Sequence, residues 1–268
     1  MNIPLHALDL LPIWGLFVCT LLIFLIIIEG GFRLGNRHSI VAKEDQRSQV
    51  SAIMGTTLGL LTFLLAFTFG KAETRFSAKK LIVVESANAI NTAYLRTDLL
   101  PGSYATQAKV LLHEYVALHV QASQYISQGD YVKLEQAIKR SSSLESLLWQ
   151  QAVTIARQNS SVFTVELYIQ ALNNIFDLKV QRVWQALLNR ISPTIWATLY
   201  FIAVLSMGAL GYYTGLNGRR SPTVTIALVL TFAAVMLLIV DLDRPKVSLF
   251  QVSQQVMLDL LNKMEAVD

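Results

Sequence analysis

Charge is what this sequence has least of. Asp, Glu, Lys and Arg make up 15% of its 268 residues, where a soluble domain carries about a quarter. The deficit is concentrated: Leu10–Ile28, Ser51–Gly70, Ile191–Asn217 and Pro222–Val240 hold no charged side chain at all. About 20 apolar residues in a helix cross a bilayer core, so these runs read as four membrane spans. The mean hydropathy of +0.47 agrees. Cysteine is nearly absent. The single Cys19 excludes an intrachain disulfide and any multi-cysteine metal site. Histidine is scarce too, at His6, His38, His113 and His119. Only "HEYVALH" (113–119) looks like a zinc helix, and its spacing fails. Ligands on one helical face need i, i+4, whereas these two rings sit i, i+6 on opposite sides, so no metal site is expected.

Other absences exclude chemistry. There is no P-loop, no dinucleotide-binding glycine pattern and no nucleophile elbow, and no serine has a recognisable base beside it. Neither catalysis nor a cofactor is expected. The net charge of +4 and pI near 9.2 do not point to nucleic acid. The basic residues are interspersed with acidic ones and many flank the spans, as in membrane proteins generally. The first span lacks a basic leader and a small-x-small cleavage site, since Ile26–Gly31 reads IIIEGG; it reads as retained.

The order is span, short loop (29–50), span, long middle, span, tight loop, span, tail. The middle, Lys71–Pro193, has proline only at 101 and 193 and glycine only at 102 and 129, so it reads as helical. Breaks are expected at Pro101-Gly102, at Gln128-Gly129-Asp130 and at Asn159-Ser160-Ser161. Apolar stripes run through Ala72, Phe76, Val83, Ala87, Ile90 and Tyr94; through Leu111, Tyr115, Leu118, Ala122 and Tyr125; through Leu134, Ala137, Leu144, Leu147 and Leu148; and through Val162, Val165, Ile169, Leu172, Phe176, Val180, Val183 and Leu187. No period-2 pattern predicts a sheet. After Pro245, Leu249–Met264 reads as a short amphipathic helix. The expected division is 1–70 for the first two spans, 71–193 for an inserted helical domain, 194–245 for the last two spans and 246–268 for the tail.

The second span carries the most information. Ser51, Gly55, Gly59, Thr62 and Ala66 form a strip of small residues on one face, with Gly55-x-x-x-Gly59 inside it. Such a strip serves close helix packing in lipid or the wall of a pore. Asp241 and Asp243, at the exit of the fourth span beside Arg244, read either as an interfacial charge pair or as an ion-attracting vestibule. Glu29 carries the same two readings. Two carboxylates are too few for calcium, which takes six to eight oxygens.

Leu65-Ala66-Phe67, followed eight positions later by Arg75-Phe76 and then Ser77, Ala78, Lys79 and Lys80, resembles the second span of bestrophin channels. The wider sequence, with "ESANAINTAYLRTDLLP" (85–101) and "DLDRP" (241–245) after the last span, resembles bacterial bestrophin-like membrane proteins. The resemblance implies an all-α homo-oligomer, most simply a pentamer, in the bacterial inner membrane. Small inorganic ions would pass a hydrophobic neck at Gly59, Phe63 and Phe67, and apolar rings can gate by dewetting; Arg75, like Asp241, Asp243 and Arg244, reads as a vestibule or an interfacial charge. Two departures stand out. Thr68-Phe69-Gly70-Lys71 replaces the polar, Arg-containing continuation of bacterial bestrophins, and the acidic calcium-clasp cluster of animal bestrophins is missing. Orientation is divided. Arg33, Arg37, Lys43, Arg47, Arg219 and Arg220 in the short loops favour an outside middle. The resemblance, with basic residues such as Lys71, Arg75, Lys179 and Arg190 flanking the other side, favours a cytoplasmic one. The competing function is a non-conducting scaffold or stress sensor acting through the helical middle.

Overall fold

A computed structural model describes residues 11–39, 44–158, 162–185, 189–218, 221–244 and 252–266. His6, Asp9, Lys43, the expected break at 159–161, Leu187, Arg219, Arg220, Pro245, Lys246 and the start of the expected tail helix lie outside them, as does the side chain of Val162. Among the described residues all regular structure is helical. The helices are α1 (Ile13–His38), α2 (Glu44–Arg96), a 3-10 turn (Thr97–Leu99), α3 (Ser103–Gln128), α4 (Tyr131–Arg157), α5 (Val162–Val183), α6 (Pro193–Leu216), α7 (Pro222–Asp243) and α8 (Gln255–Glu265). Four of them, α1, α2, α6 and α7, are long and apolar enough to cross a membrane.

Their ends follow local chemistry. Proline opens α6 and α7 at the first helical position, where its missing N–H has no helical partner to lose. The Ser192 hydroxyl accepts from Thr194 N at 3.3 Å to cap α6. The expected loop over 29–50 is mostly helix instead. Helix α1 continues through Glu29-Gly30-Gly31 to His38, because Glu29 and Arg33 pair at i, i+4 (2.9 Å) and Arg37 and His38 suit the negative end of the helix. Helix α2 then starts at Glu44, with Glu44 and Asp45 in its positive first turn. It is a single helix of 53 residues, about 80 Å long at 1.5 Å per residue. Gly70 costs it roughly 1 kcal/mol relative to alanine, too little to break it.

The chain divides into two compact units. One comprises Leu5–Thr74 and Arg190–Arg244. Here α1 packs mainly on α6 and secondarily on α7. Phe24, Leu61, Ala203, Met207 and Ile239 are fully buried. The α1–α6 crossing is made by glycine. A methyl group on Gly31 would strike the Gly208 carbonyl oxygen, one on Gly35 that of Tyr212, one on Gly211 that of Ile28, and one on Gly215 that of Phe32. Backbone therefore lies on backbone along two interlocking patterns, Gly31-x-x-x-Gly35 and Gly211-x-x-x-Gly215. Lipid supplies no hydrophobic drive for helices to associate, so contact is won by close approach. A Thr20–Tyr200 hydroxyl bond (3.2 Å) joins the same two helices.

The other unit comprises Arg75–Asn189 with Pro245–Asp268 at the chain's end and a few N-terminal residues. Its core joins the second half of α2 (Val83, Ile90, Ala93) to α3 (Leu112, Tyr115), α4 (Leu144, Leu148, Ile155), α5 (Tyr168, Leu172) and α8 (Met257). Two of the expected breaks lie where the sequence placed them. Gly102 (φ 54°) precedes α3, and Gly129 (φ 72°) ends it. Asp130 then caps α4 by accepting from Lys133 N at 3.0 Å. The stripes are less faithful. On α3 the buried line is Ala108, Leu112, Tyr115, Val116, His119 and Val120, one residue round from the expected Leu111–Leu118 line. A buried histidine pulls the face toward itself. On α5 the line is Val165, Tyr168, Leu172 and Ile175, while Val180 is exposed. Leu147 of α4 is exposed as well. The tail helix begins at Gln255, and Val252–Gln254 is not helical.

Candidate functional site

In its apolar half α2 presents two faces. Leu61, Leu65, Thr68 and Ala72, spaced four, three and four apart, are buried. On the opposite side at 100° per residue stand Gly55, Gly59, Thr62, Phe63, Ala66 and Phe67, all exposed; Ser51 is half-buried. Phe63 and Phe67 are 66% and 68% exposed. They lie one turn apart and so form two successive aromatic steps on one side of the helix. A methyl group added to Gly55, Gly59 or Gly70 would meet nothing within 4 Å. Among the described residues, the glycines of the small strip of α2 therefore pack against nothing. The strips that do pack are the glycines of α1 and α6. The same small-x-x-x-small signal was present at Gly31-x-x-x-Gly35 and Gly211-x-x-x-Gly215, where the sequence reading had passed it over.

The hydroxyls on this half of α2 are spent within the helix. Thr62 donates to Leu58 O (2.9 Å), Thr68 to Leu64 O (2.7 Å) and Thr74 to Gly70 O (2.9 Å). Such back-bonding satisfies a hydroxyl where no water is available. The exposed face is thus apolar and aromatic rather than ion-coordinating.

Of the charged candidates, both aspartates of α7 are buried. Asp241 and Asp243 are 4% and 2% exposed. One carboxylate oxygen of Asp243 accepts from Ile191 N at 3.0 Å, and the other lies 3.6 Å from Arg190 Nη2. Asp243 thereby ties the end of α7 to the entry of α6. Arg190 is thus an ionic partner of Asp243 that the sequence does not signal. Arg244 is half-buried. In the other unit Arg75 is buried. Among the described residues no group of three or more acidic, histidine or cysteine side chains could hold a metal.

A polar cluster that the sequence did not signal lies inside the helical unit. The Tyr115 hydroxyl donates to Glu145 (2.9 Å), whose same oxygen is 2.9 Å from Lys179 Nζ. Lys179 also donates to the Ser142 hydroxyl (2.9 Å). The His119 ring packs at 4.4 Å from that of Tyr115. It is buried with neither nitrogen hydrogen-bonded. Burial lowers its pKa well below the usual histidine value, and the charges of Arg182 and Lys179 push the same way. Burial, then the Glu145 charge, pushes the Tyr115 hydroxyl up.

Residues 19–257 match the family model of the bestrophin-like domain. The chain belongs to the bestrophin-like family. That family is known for channels rather than enzymes, and the four apolar helices fit a channel-like integral membrane protein in contact with lipid. No curated protein and no solved structure matches the chain.

Proposed function

We propose that this bestrophin-like protein is a homo-oligomeric ion channel, a pentamer in the bacterial inner membrane. Its helical unit is inserted between the second and third spans and faces the cytoplasm. Gly59, Phe63 and Phe67 of each copy line a hydrophobic neck through which small monovalent ions pass. The observation that carries this reading is the outward face of α2, apolar, aromatic and exposed among the described residues. Around an axis, five such faces would form two phenylalanine rings one turn apart. Gly59 would widen the passage a turn earlier. A narrow apolar constriction strips water from an ion and so opposes passage until it widens.

The test is current through the purified full-length protein in planar bilayers. Wild type conducts, and Phe63→Ala or Phe67→Ala raises the open probability or the conductance. Folded, oligomeric protein that is silent as wild type and in both variants would refute the channel and favour the scaffold.

A further inference from the structure

In the membrane unit a cleft of about 630 Å³ opens between α1, α2 and α6. Ile27 and Leu34 of α1, Val50 and Ile53 of α2, and Leu205 and Tyr212 of α6 line it. The lining is almost wholly apolar, and Leu34, Ile53 and Leu205 are each about half exposed. Its floor is bare because Gly30 and Gly208 contribute no side chain. The ion pair of Glu29 and Arg33 (2.9 Å) lies on α1 beside the cleft residues Gly30 and Leu34.

The mouth is basic. Arg37 and His38 follow Leu34 by three and four positions, on the same side of α1, and both are exposed. Arg47 precedes Val50 by one turn on α2. Its Nη2 donates to the Ser39 carbonyl across the mouth at 3.2 Å, and its Nε is buried with no partner. The His38 ring stands 6.1 Å from the ring of Tyr212, which lines the cleft. The acidic groups of this end are otherwise placed. Glu29 is bound by Arg33, and Glu44 and Asp45 occupy the first turn of α2, where the helix dipole favours them. Among the described residues Arg37 has no ion-pair partner.

We propose that this cleft is a binding site for an anionic phospholipid, with an acyl chain along Ile27, Leu34, Ile53 and Leu205 and the phosphate on Arg37 and Arg47. A basic mouth on an apolar cleft between membrane helices has the chemistry of such a site. A guanidinium is suited to a phosphate oxygen, and Arg37 is exposed at the mouth. A zwitterionic lipid would fill the cleft equally well but would bring an ammonium group to the same arginines. The charge of the mouth therefore selects the headgroup, and the cleft selects only for a chain.

The experiment uses the full-length protein in phosphatidylcholine vesicles containing trace spin-labelled lipid, either phosphatidylglycerol or phosphatidylcholine. The motionally restricted fraction is read for each. The expected result is restricted phosphatidylglycerol at least three-fold above phosphatidylcholine, at low salt. Arg37→Gln, an exposed position that leaves the fold intact, lowers that ratio, and Arg37→Gln with Arg47→Gln brings it to one. Gly30→Leu, for which the structure has open space, lowers the restricted fraction of both lipids. A wild-type ratio of one, or a ratio unmoved by Arg37→Gln and by the double variant, would overturn the proposal. So would a Gly30→Leu protein that keeps its lipid but loses its oligomer, since that places a second copy in the cleft. None of these readouts depends on conduction.

Discussion

The two units solve the packing problem in opposite ways. In the membrane unit α1 and α6 meet through glycines, and backbone carbonyls stand where side chains would be. In the helical unit the core is built from large side chains, Tyr115, Tyr168, Leu112, Leu148 and Ile155, each at 0% exposure. Water drives the second arrangement, because each buried apolar side chain is worth about 1.5–3 kcal/mol. Lipid gives no such return, so the first depends on bringing helix axes close. The same residue type thus has opposite meanings along this chain. Gly31, Gly35, Gly211 and Gly215 are filled by a neighbouring backbone, whereas Gly55 and Gly59 face open space.

That contrast can be broken at graded cost. Gly211→Leu would force a side chain into the Ile28 carbonyl. We expect a loss of ~3 kcal/mol or more, seen as failure to recover folded protein in detergent; normal yield and unfolding temperature would contradict the packing described. Leu148→Ala, in the helical unit, should cost about 2–5 kcal/mol through cavity formation, measured by amide exchange over α3–α5 with the spans unaffected.

A third effect comes from acidity. His119 is neutral in the folded unit because its pKa is lowered, while in the unfolded chain it titrates near the ordinary value of about 6.5. Below that pH the unfolded chain binds the extra proton, so stability falls as pH drops, by up to about 1.4 kcal/mol per unit, until the folded-state pKa is reached. Above about pH 7 the residue contributes no slope. His119→Phe should flatten the dependence between pH 7 and 5 in the amide exchange of α3. An equal slope in wild type and variant would assign the acid response to other groups. The smallest effect belongs to Gly59→Ala, with nothing near its Cβ. Within one copy it should change stability by no more than about 1 kcal/mol, in the stabilising direction, as read by thermal unfolding of monomeric protein in detergent. A loss as large as that of Gly211→Leu would mean that Gly59 is packed after all.

What could be read from residues alone follows the strength of the local signal. Four uncharged runs, Pro101-Gly102 and Gly129-Asp130 act on the chain's own backbone, and they fell where expected. The glycine pattern was legible as a pattern but not as a partnership. Three Gly-x-x-x-Gly pairs occur in the sequence, and only tertiary structure decides that those of α1 and α6 meet while Gly55 and Gly59 do not. The α3 face was misread by one residue because His119 looks polar in a list and is buried in the fold. Arg190 as a partner of Asp243 was hidden by the long stretch of chain between them. From sequence alone the stretch beginning at Glu29 reads as loop. The Glu29–Arg33 pair and the carbonyls of α6 make it helix interior.

The central claim is that the open face of α2 lines a pore. In a Cys19→Ser background, Phe67→Cys and the lipid-facing candidate Phe201→Cys, which is also exposed at 63%, can each be treated with a charged methanethiosulfonate reagent during bilayer recording. The account predicts that current through Phe67→Cys changes by several-fold while Phe201→Cys is unmoved. Equal insensitivity of the two in conducting protein, or a response at Phe201→Cys alone, would contradict it.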